Sequence, residues 1–170
     1  MNSFISWIGG KKLLRSKIVE QMEGAGEIER YIEVFGGAGW VLFAKEKHAA
    51  MEVYNDINGS LVNLYRCVKY HSEALQKELD GILMSRELFF DAVSETGGLT
   101  DIQRAARFFV AIKESYGTDC RSFITVPKDM PKAVDFLTMA AGRLRHVVIE
   151  NLDFEHLIRL YDRQGALFYL

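Results

Sequence analysis

Residues 31–39, Tyr-Ile-Glu-Val-Phe-Gly-Gly-Ala-Gly, form a β-rich run that enters a cluster of glycines. This pattern predicts a strand over residues 31–35 followed by a tight glycine turn. The apolar residues 40–45 come next and predict a helix directly after the turn. The segment therefore predicts strand, turn and helix, the repeating unit of an α/β fold.

The same arrangement follows immediately along the chain. Residues 51–54, Met-Glu-Val-Tyr, predict a second strand, which ends in Asn55-Asp56-Ile57-Asn58. Asn58 is a good N-cap for a helix. The apolar side chains after it fall on one face at helical spacing: Leu61, Val62, Leu64, Tyr65 and Val68.

Two further strands are predicted near the end of the sequence. Residues 147–150 and 166–170 are short apolar runs, and a helix is expected between them over 154–161. Another helix is expected over 13–22, and a charged, helical stretch continues to about Arg145. The order predicts a doubly wound, mostly parallel sheet, a partial Rossmann-like α/β fold with a helical insertion.

Composition limits the class of protein. The 170 residues, 49% of them hydrophobic, can bury one core with a small appended lobe. The net charge of -2 gives no overall electrostatic footprint for nucleic acid. We expect a cytoplasmic location and no membrane partner, because no apolar run approaches a membrane span and no signal segment begins the chain. Cys67 and Cys120 are expected to be reduced, and the four histidines show no metal-ligand spacing.

The glycine turn is the first candidate binding element. Small residues at the end of a strand let backbone amides approach a ligand, and a following helix N-terminus favours polar or negative groups. The spacing is not the GxGxxG dinucleotide fingerprint, and a plain tight turn is the alternative. Asp56 lies about 20 residues beyond the glycines, where an acidic side chain can accept hydrogen bonds from a ribose. The alternative for Asp56 is that it caps the next helix.

Three motifs together carry a family resemblance. They are Trp-Ile-Gly-Gly-Lys at 7–11, Val-Phe-Gly-Gly-Ala-Gly at 34–39 and Tyr-Asn-Asp-Ile-Asn at 54–58. In this order the sequence resembles the amino-terminal portion of the Dam-type (D12 class) adenine-specific DNA methyltransferases. The resemblance implies methyl transfer from S-adenosylmethionine to the exocyclic amine of adenine in duplex DNA. Restriction, repair and phage defence are all open as biological settings.

The resemblance also implies a set of cofactor-binding residues. The first motif would pack beside the cofactor, the glycine turn would hold its methionine part and Asp56 would bind its ribose. A looser match at 150–153 is similar to the segment that flanks the adenine, although Asp153 can equally cap the following helix. The residues implied are Trp7, Gly9, Gly10, Lys11, Phe35, Gly36, Gly37, Gly39, Asp56, Asn151 and Leu152.

The resemblance implies a division of the chain into core and insertion. Residues 1–70 and 143–170 would form an incomplete cofactor-binding core, and 71–142 a helical insertion resembling a target-recognition region. Within the insertion, Lys113, Tyr116 and Arg121 are candidate DNA contacts through phosphates or a base step. The alternative is that the basic residues form a solvated face and the neighbouring aromatic residues belong to the core.

The family's catalytic motif, Asp-Pro-Pro-Tyr, does not occur in these residues. Pro127 and Pro131 are the only prolines and are not adjacent. In the family the fourth strand runs directly into this motif, so we expect a buried strand at 166–170 to stop just before it. We therefore assign no catalytic residue and expect the isolated chain to be inactive.

Two other functions are open. One is a non-catalytic binding or assembly module, such as half of a split methyltransferase, which would associate with itself or with a complementing chain through the exposed edge of the fourth strand. A weaker one is another nucleotide-binding α/β protein.

Overall fold

The computed structural model describes residues 1–82, 85–94, 97–124 and 129–170. Pro127 and parts of the predicted insertion lie outside these residues. Their central feature is a four-stranded sheet in which all pairs are parallel, with the order β3-β2-β1-β4. The strands are β1 (Arg30–Glu33), β2 (Met51–Asn55), β3 (Val147–Glu150) and β4 (Ala166–Tyr169). The predicted α/β class and parallel sheet are confirmed.

The middle strands β1 and β2 are the most buried strands of the sheet, because each has a neighbour on both sides. β1 pairs with β2 on one side and β4 on the other, with Ile32 opposite both Val53 and Phe168. On one face Ile32, Val34 and Val53 pack with Leu157 in a buried cluster. The carboxyl ends of the strands therefore meet at one edge around the buried end of β1.

Seven α-helices occur among the described residues. The helix predicted over 154–161 has those bounds, and Asn58 caps the helix after β2 by accepting a hydrogen bond from the Leu61 amide at 3.0 Å. The helices are α1 (Arg15–Glu23), α2 (Gly59–Tyr70), α3 (Ser72–Asp80), α4 (Arg86–Val93), α5 (Asp101–Glu114), α6 (Met130–Leu144) and α7 (Phe154–Tyr161).

Three expectations about elements were wrong in detail. The helix expected over 40–45 is only a short 3-10 helix, Leu42–Ala44, because side chains from elsewhere in the chain bind its backbone, as described below. The first strand ends at Glu33, since the chain already turns at Phe35. The fourth strand is half-buried and not buried, because it lies at an edge of the sheet.

The chain divides into two compact units. The first consists of Met1–Ser3, Gly9–Val62 and Arg143–Leu170, and it contains the sheet, α1 and α7. The second consists of Phe4–Ile8 and Asn63–Gly142. In it α3 and α4 pack against α5, and the Phe4 ring contacts the Tyr65 ring edge-on at 4.9 Å.

No helix among the described residues combines the length and the apolar character needed to cross a bilayer. Both cysteines are free thiols, Cys67 buried and Cys120 half-buried. Burial raises the pKa of the Cys67 thiol to about 11, so this side chain behaves as a small apolar group.

Candidate functional site

The glycine turn is held in a tight, defined shape at the end of β1. The Gly36 amide donates to the Asn55 carbonyl at 2.7 Å, and the Gly39 amide donates to the Gly36 carbonyl at 2.7 Å. Gly37 and Gly39 have φ values of +50° and +64°, which L side chains rarely adopt. The turn therefore needs glycine at these positions for its backbone shape.

Gly36 is required for a different reason. A Cβ atom at this position would lie 2.2 Å from Cε2 of Tyr54, a fully buried side chain of β2. The Tyr54 hydroxyl donates to the Gly37 carbonyl at 2.6 Å and so fixes the ring against the turn. The first glycine thus makes room for the ring that supports the second.

Asp56 lies directly against this turn. Its Oδ2 accepts a hydrogen bond from the Gly37 amide at 2.9 Å, and its Oδ1 accepts one from the Asn58 amide at 2.8 Å. The helix cap is Asn58, not Asp56, so Asp56 is not used as the N-cap of α2. The half-buried carboxylate joins the tips of β1 and β2 and presents hydrogen-bond acceptors at that edge.

Two asparagines connect the tip of β3 to the same edge. The buried Asn55 side chain donates to the carbonyls of Val34 and Leu152, both at 3.0 Å, and accepts from the Leu152 amide at 2.8 Å. The Asn151 side chain donates to the Asp56 carbonyl at 2.7 Å. Three strand tips, after β1, β2 and β3, therefore form one connected surface.

An exposed pair of aromatic rings lies at this edge. Phe35 is 57% exposed and Phe154, at the start of α7, is 54% exposed, with ring centroids 6.0 Å apart. Large apolar side chains are usually buried, so an exposed aromatic pair beside polar strand tips is suited to a flat apolar ligand group.

The first motif is divided between the two units. Gly9, Gly10 and Lys11 are exposed residues of the first unit, and Gly9 has a φ of +77°. Lys12 and Arg15, which follow them, lie over the Trp40 ring at 5.5 and 5.4 Å, next to the glycine turn. Trp7 belongs to the second unit, where its ring lies 5.8 Å from that of Phe108.

A buried carboxyl group at the end of β1 binds the backbone just after the glycine turn. Glu33 is only 2% exposed, and its Oε2 accepts hydrogen bonds from the Tyr31 hydroxyl at 2.6 Å and the Leu42 amide at 2.9 Å. Burial raises the pKa of Glu33 to about 7, although both hydrogen bonds and the Arg143 charge act to lower it. Burial likewise raises the pKa of Tyr31.

A buried ion pair holds the segment after the turn. The Arg143 guanidinium binds both oxygens of Glu52, at 2.7 and 2.9 Å, and the two side chains are 5% and 4% exposed. Arg143 also donates to the carbonyls of Leu42 and Lys45, each at 2.8 Å. These contacts satisfy backbone groups that an α-helix would use within itself.

The predicted DNA contacts lie in the second unit, around a short loop. Lys113 is half-buried, and its Nζ donates to the Phe4 carbonyl at 2.8 Å. Tyr116 is 73% exposed and Arg121 is also exposed. Tyr116 and Arg121 thus present side chains to solvent, whereas Lys113 makes an internal contact.

The loop itself is closed and ordered by hydrogen bonds. Ser115 and Phe123 form an antiparallel bridge, and the Tyr116 amide donates to the Ser122 carbonyl at 2.9 Å. Inside the loop the Asp119 carboxylate accepts from the Arg121 amide at 2.9 Å, a contact that lowers the pKa of Asp119. The exposed side chains are therefore displayed on a structured loop.

Comparison with known proteins decides the family. A model of the D12 class N6 adenine-specific DNA methyltransferases matches residues 7–170. The chain belongs to this family. A shorter match, 37% identical over 84 residues, is to the Type II methyltransferase M.MjaIII of Methanocaldococcus jannaschii. That match covers 46% of this chain and 29% of the relative, so the chain spans under a third of the relative's length.

Sequence reasoning missed several residues that build the site. Asn55, Tyr54 and Glu33 all lie at strand ends, and their hydrogen bonds hold the strand tips together. A polar residue inside an apolar run was the available signal for Glu33 and Asn55. Arg143 could not be found this way, because its partner Glu52 is distant in sequence.

Proposed function

We propose that this chain forms the S-adenosylmethionine-binding part of an adenine-specific DNA methyltransferase that acts on duplex DNA in the cytoplasm. The observation that carries the proposal is the Asp56 carboxylate, 2.9 Å from the Gly37 amide at the common carboxyl edge of the parallel strands. In open α/β sheets this edge is where nucleotide-type ligands bind.

The groups at the edge fit the parts of this cofactor. The free acceptor capacity of a carboxylate suits the hydroxyls of a ribose, and Phe35 and Phe154 offer apolar ring surface for the adenine. The absence of side chains at Gly37 and Gly39 lets a ligand approach the turn closely, which suits the methionine part, whereas the side-chain volume of Gly36 is filled by the Tyr54 ring. D12 class methyltransferases use S-adenosylmethionine, which supplies an activated methyl group when bound.

Binding of duplex DNA is the second part of the proposal. The loop at 115–123 carries Tyr116 and Arg121 on its exposed side. An arginine can pair with a phosphate, and an exposed tyrosine can stack on or wedge beside a base. Lys113 contributes less, because its ammonium group is already bound to the Phe4 carbonyl.

Calorimetric titration of the purified chain with S-adenosylmethionine tests the cofactor assignment. Asp56→Ala should weaken binding at least tenfold, because it removes the acceptor at the ribose position and the contact to Gly37. Asp135→Ala, at an exposed position of α6, is the matched control and should bind like the wild type. Equal affinities of the two variants, or preference for NAD over S-adenosylmethionine, would count against the proposal.

A specific feature supports the alternative, an assembly module. β4 pairs only with β1 in the described sheet. The carbonyls of Gly165 and Tyr169 accept hydrogen bonds from the amides of Arg30 and Val34 on the β1 side. In a parallel ladder alternate residues face opposite neighbours, so the backbone groups of Phe168 point away from β1. Such an edge can pair with a second copy or a complementing chain. Sedimentation velocity over a hundredfold concentration range should show association; a strict monomer that ignores a complementing fragment argues against it.

A further inference from the structure

The segment from Gly9 to Val19 concentrates positive charge on the first unit. It contains no acidic residue and four cations, Lys11, Lys12, Arg15 and Lys17. The next ten residues, 20–29, reverse the pattern with four glutamates and no cation. Because the whole chain has a net charge of -2, this excess of positive charge belongs to the segment and not to the overall composition.

The stability of α1 does not explain this charge. The N-terminal end of a helix carries a partial positive charge and the C-terminal end a partial negative one. Yet α1 has Arg15 and Lys17 in its first turn, where no acidic residue occurs, and Glu20 and Glu23 toward its end. Both sets of charges oppose the helix dipole. The cations therefore have another reason for their place, and conflicts of this kind are expected at functional sites.

The basic segment is ordered on the protein surface. The Lys11 carbonyl accepts hydrogen bonds from the amides of Leu14 and Arg15 at 3.0 and 2.9 Å, so the chain turns directly into α1. Arg15 donates to the Asn2 side chain at 2.8 Å and lies over the Trp40 ring. The segment thus presents its charges in a defined arrangement, which lowers the entropy that binding would cost.

Two of the four cations are free to meet an external anion. Lys11 bends back and donates to the Gly9 carbonyl at 2.7 Å, and Arg15 is held as described above. Lys12 and Lys17 are exposed. Among the described residues, neither of these two lysines forms an ion pair with a carboxylate.

Exposed apolar surface lies between the two lysines. Leu13 is 93% exposed, and Leu14 beside it is 51% exposed. Single exposed leucines are normal, but here two adjacent ones stand among cations that have no anionic partner in the chain. Duplex DNA complements both features, because it offers anionic phosphates together with apolar sugar and base surface in its grooves.

We propose that residues 12–17 form a second DNA-contact surface, in which Lys12 and Lys17 pair with phosphates of the duplex and Leu13 makes an apolar contact in a groove. The inference rests on the proposed function and goes beyond it, because the DNA contacts proposed above lie on the loop of the second unit. Lys12 and Arg15 contact Trp40, next to the glycine turn. A duplex whose adenine receives the methyl group must reach the unit that binds the cofactor, and these cations would hold its phosphates there.

Fluorescence anisotropy with a short labelled DNA duplex, over a range of salt concentrations, tests this surface. Lys17→Gln should weaken binding about three- to tenfold and lower the slope of log affinity against log salt by about one, because one phosphate contact is lost. Lys12→Gln should have the same effect. Leu13→Ser should weaken binding about threefold without changing the slope, because the contact that it removes is uncharged.

Lys47→Gln is the matched control, since it removes one exposed lysine of the same unit outside the segment. It changes the net charge by the same amount and should bind DNA within about twofold of the wild type. Lys17→Gln should keep the urea midpoint and the S-adenosylmethionine affinity of the wild type, because Lys17 is exposed and glutamine has a similar helix propensity.

Several outcomes would overturn the inference. Equal losses of DNA binding in Lys17→Gln and Lys47→Gln would assign the effect to overall charge. Unchanged DNA binding by the segment variants, with weaker binding to phosphatidylserine vesicles, would assign the segment to an anionic lipid surface. Unchanged binding to both would leave it without either partner. Absence of DNA binding by the wild type would contradict the DNA part of the proposed function as well, which differs from normal DNA binding that the variants leave intact.

Discussion

Single residues define the turn at the end of β1. Gly37 and Gly39 supply backbone angles, whereas Gly36 supplies space, because Tyr54 occupies the volume of its missing side chain. These are separate physical requirements for neighbouring glycines. A substitution at each should fail for its own reason.

Gly36→Ala should destabilise the first unit by about 1–3 kcal/mol, the usual cost of overpacking a filled core. The Tyr54 ring cannot move aside without breaking its hydrogen bond to the Gly37 carbonyl. Urea unfolding measures the change. The control is Gly142→Ala in α6, where an added Cβ meets nothing within 4 Å; it should be neutral or stabilising by about 0.5–1 kcal/mol. A stable Gly36→Ala protein would contradict the close packing seen at this position.

At the scale of helices and strands, local sequence signals were sufficient to predict some elements and misleading for one. Four strands and α7 were predicted within one or two residues, because short apolar runs and capping residues are local signals. The segment 40–45 has the same apolar character and was predicted as a helix, yet only Leu42–Ala44 forms a 3-10 turn. Its backbone is bound by Glu33, nine residues before Leu42, and by Arg143, which lies 101 residues beyond Leu42.

The candidate site was also predicted only in part, because some of its contacts are local in sequence and others are not. The positions of Asp56 and the glycines follow from local motifs, and the structure brings these residues into contact. The roles of all the predicted site residues stay predictions. Asn55 and the strand order that makes it central are long-range features, so the network it builds could not be read from spacing.

The short 3-10 helix should depend on the buried ion pair. Arg143→Met leaves the Glu52 carboxylate and two backbone carbonyls without their main donor, which should cost about 3–5 kcal/mol of unfolding free energy. Urea denaturation gives the value, and the exposed Arg145→Met is the matched control. Adding Glu52→Gln to Arg143→Met should recover part of the loss. Simple additivity of the two changes would show that the pair is not coupled.

At the scale of the whole molecule, the chain combines a parallel-sheet unit with a mainly helical unit. The first carries the proposed cofactor edge and the second the loop with Tyr116 and Arg121. The 170 residues contain no Asp-Pro-Pro-Tyr segment with which to hold a target adenine. Binding and catalysis should therefore be separable in this protein.

Residues 1–170 should bind S-adenosylmethionine without transferring its methyl group. A radiolabelled methyl-transfer assay on unmethylated duplex DNA should remain at background, because no residue in the chain is positioned by that motif to accept the hydrogens of the adenine amine. The same preparation must bind the cofactor in the calorimeter, so that inactivity is not a sign of misfolding. Methyl transfer by this chain alone would contradict the prediction.

The strand order also has a consequence during protein synthesis. β1 pairs with β2, which follows soon after it, and with β4, which is made more than a hundred residues later. At a translation rate of about 5–20 residues per second, one edge of β1 remains without its β4 neighbour for roughly 7 to 27 seconds. The tips of β1 and β2 can meet before β4 leaves the ribosome. During that interval the nascent chain exposes an unpaired apolar strand edge. We therefore expect chaperone binding to this edge to matter most before β4 is synthesised.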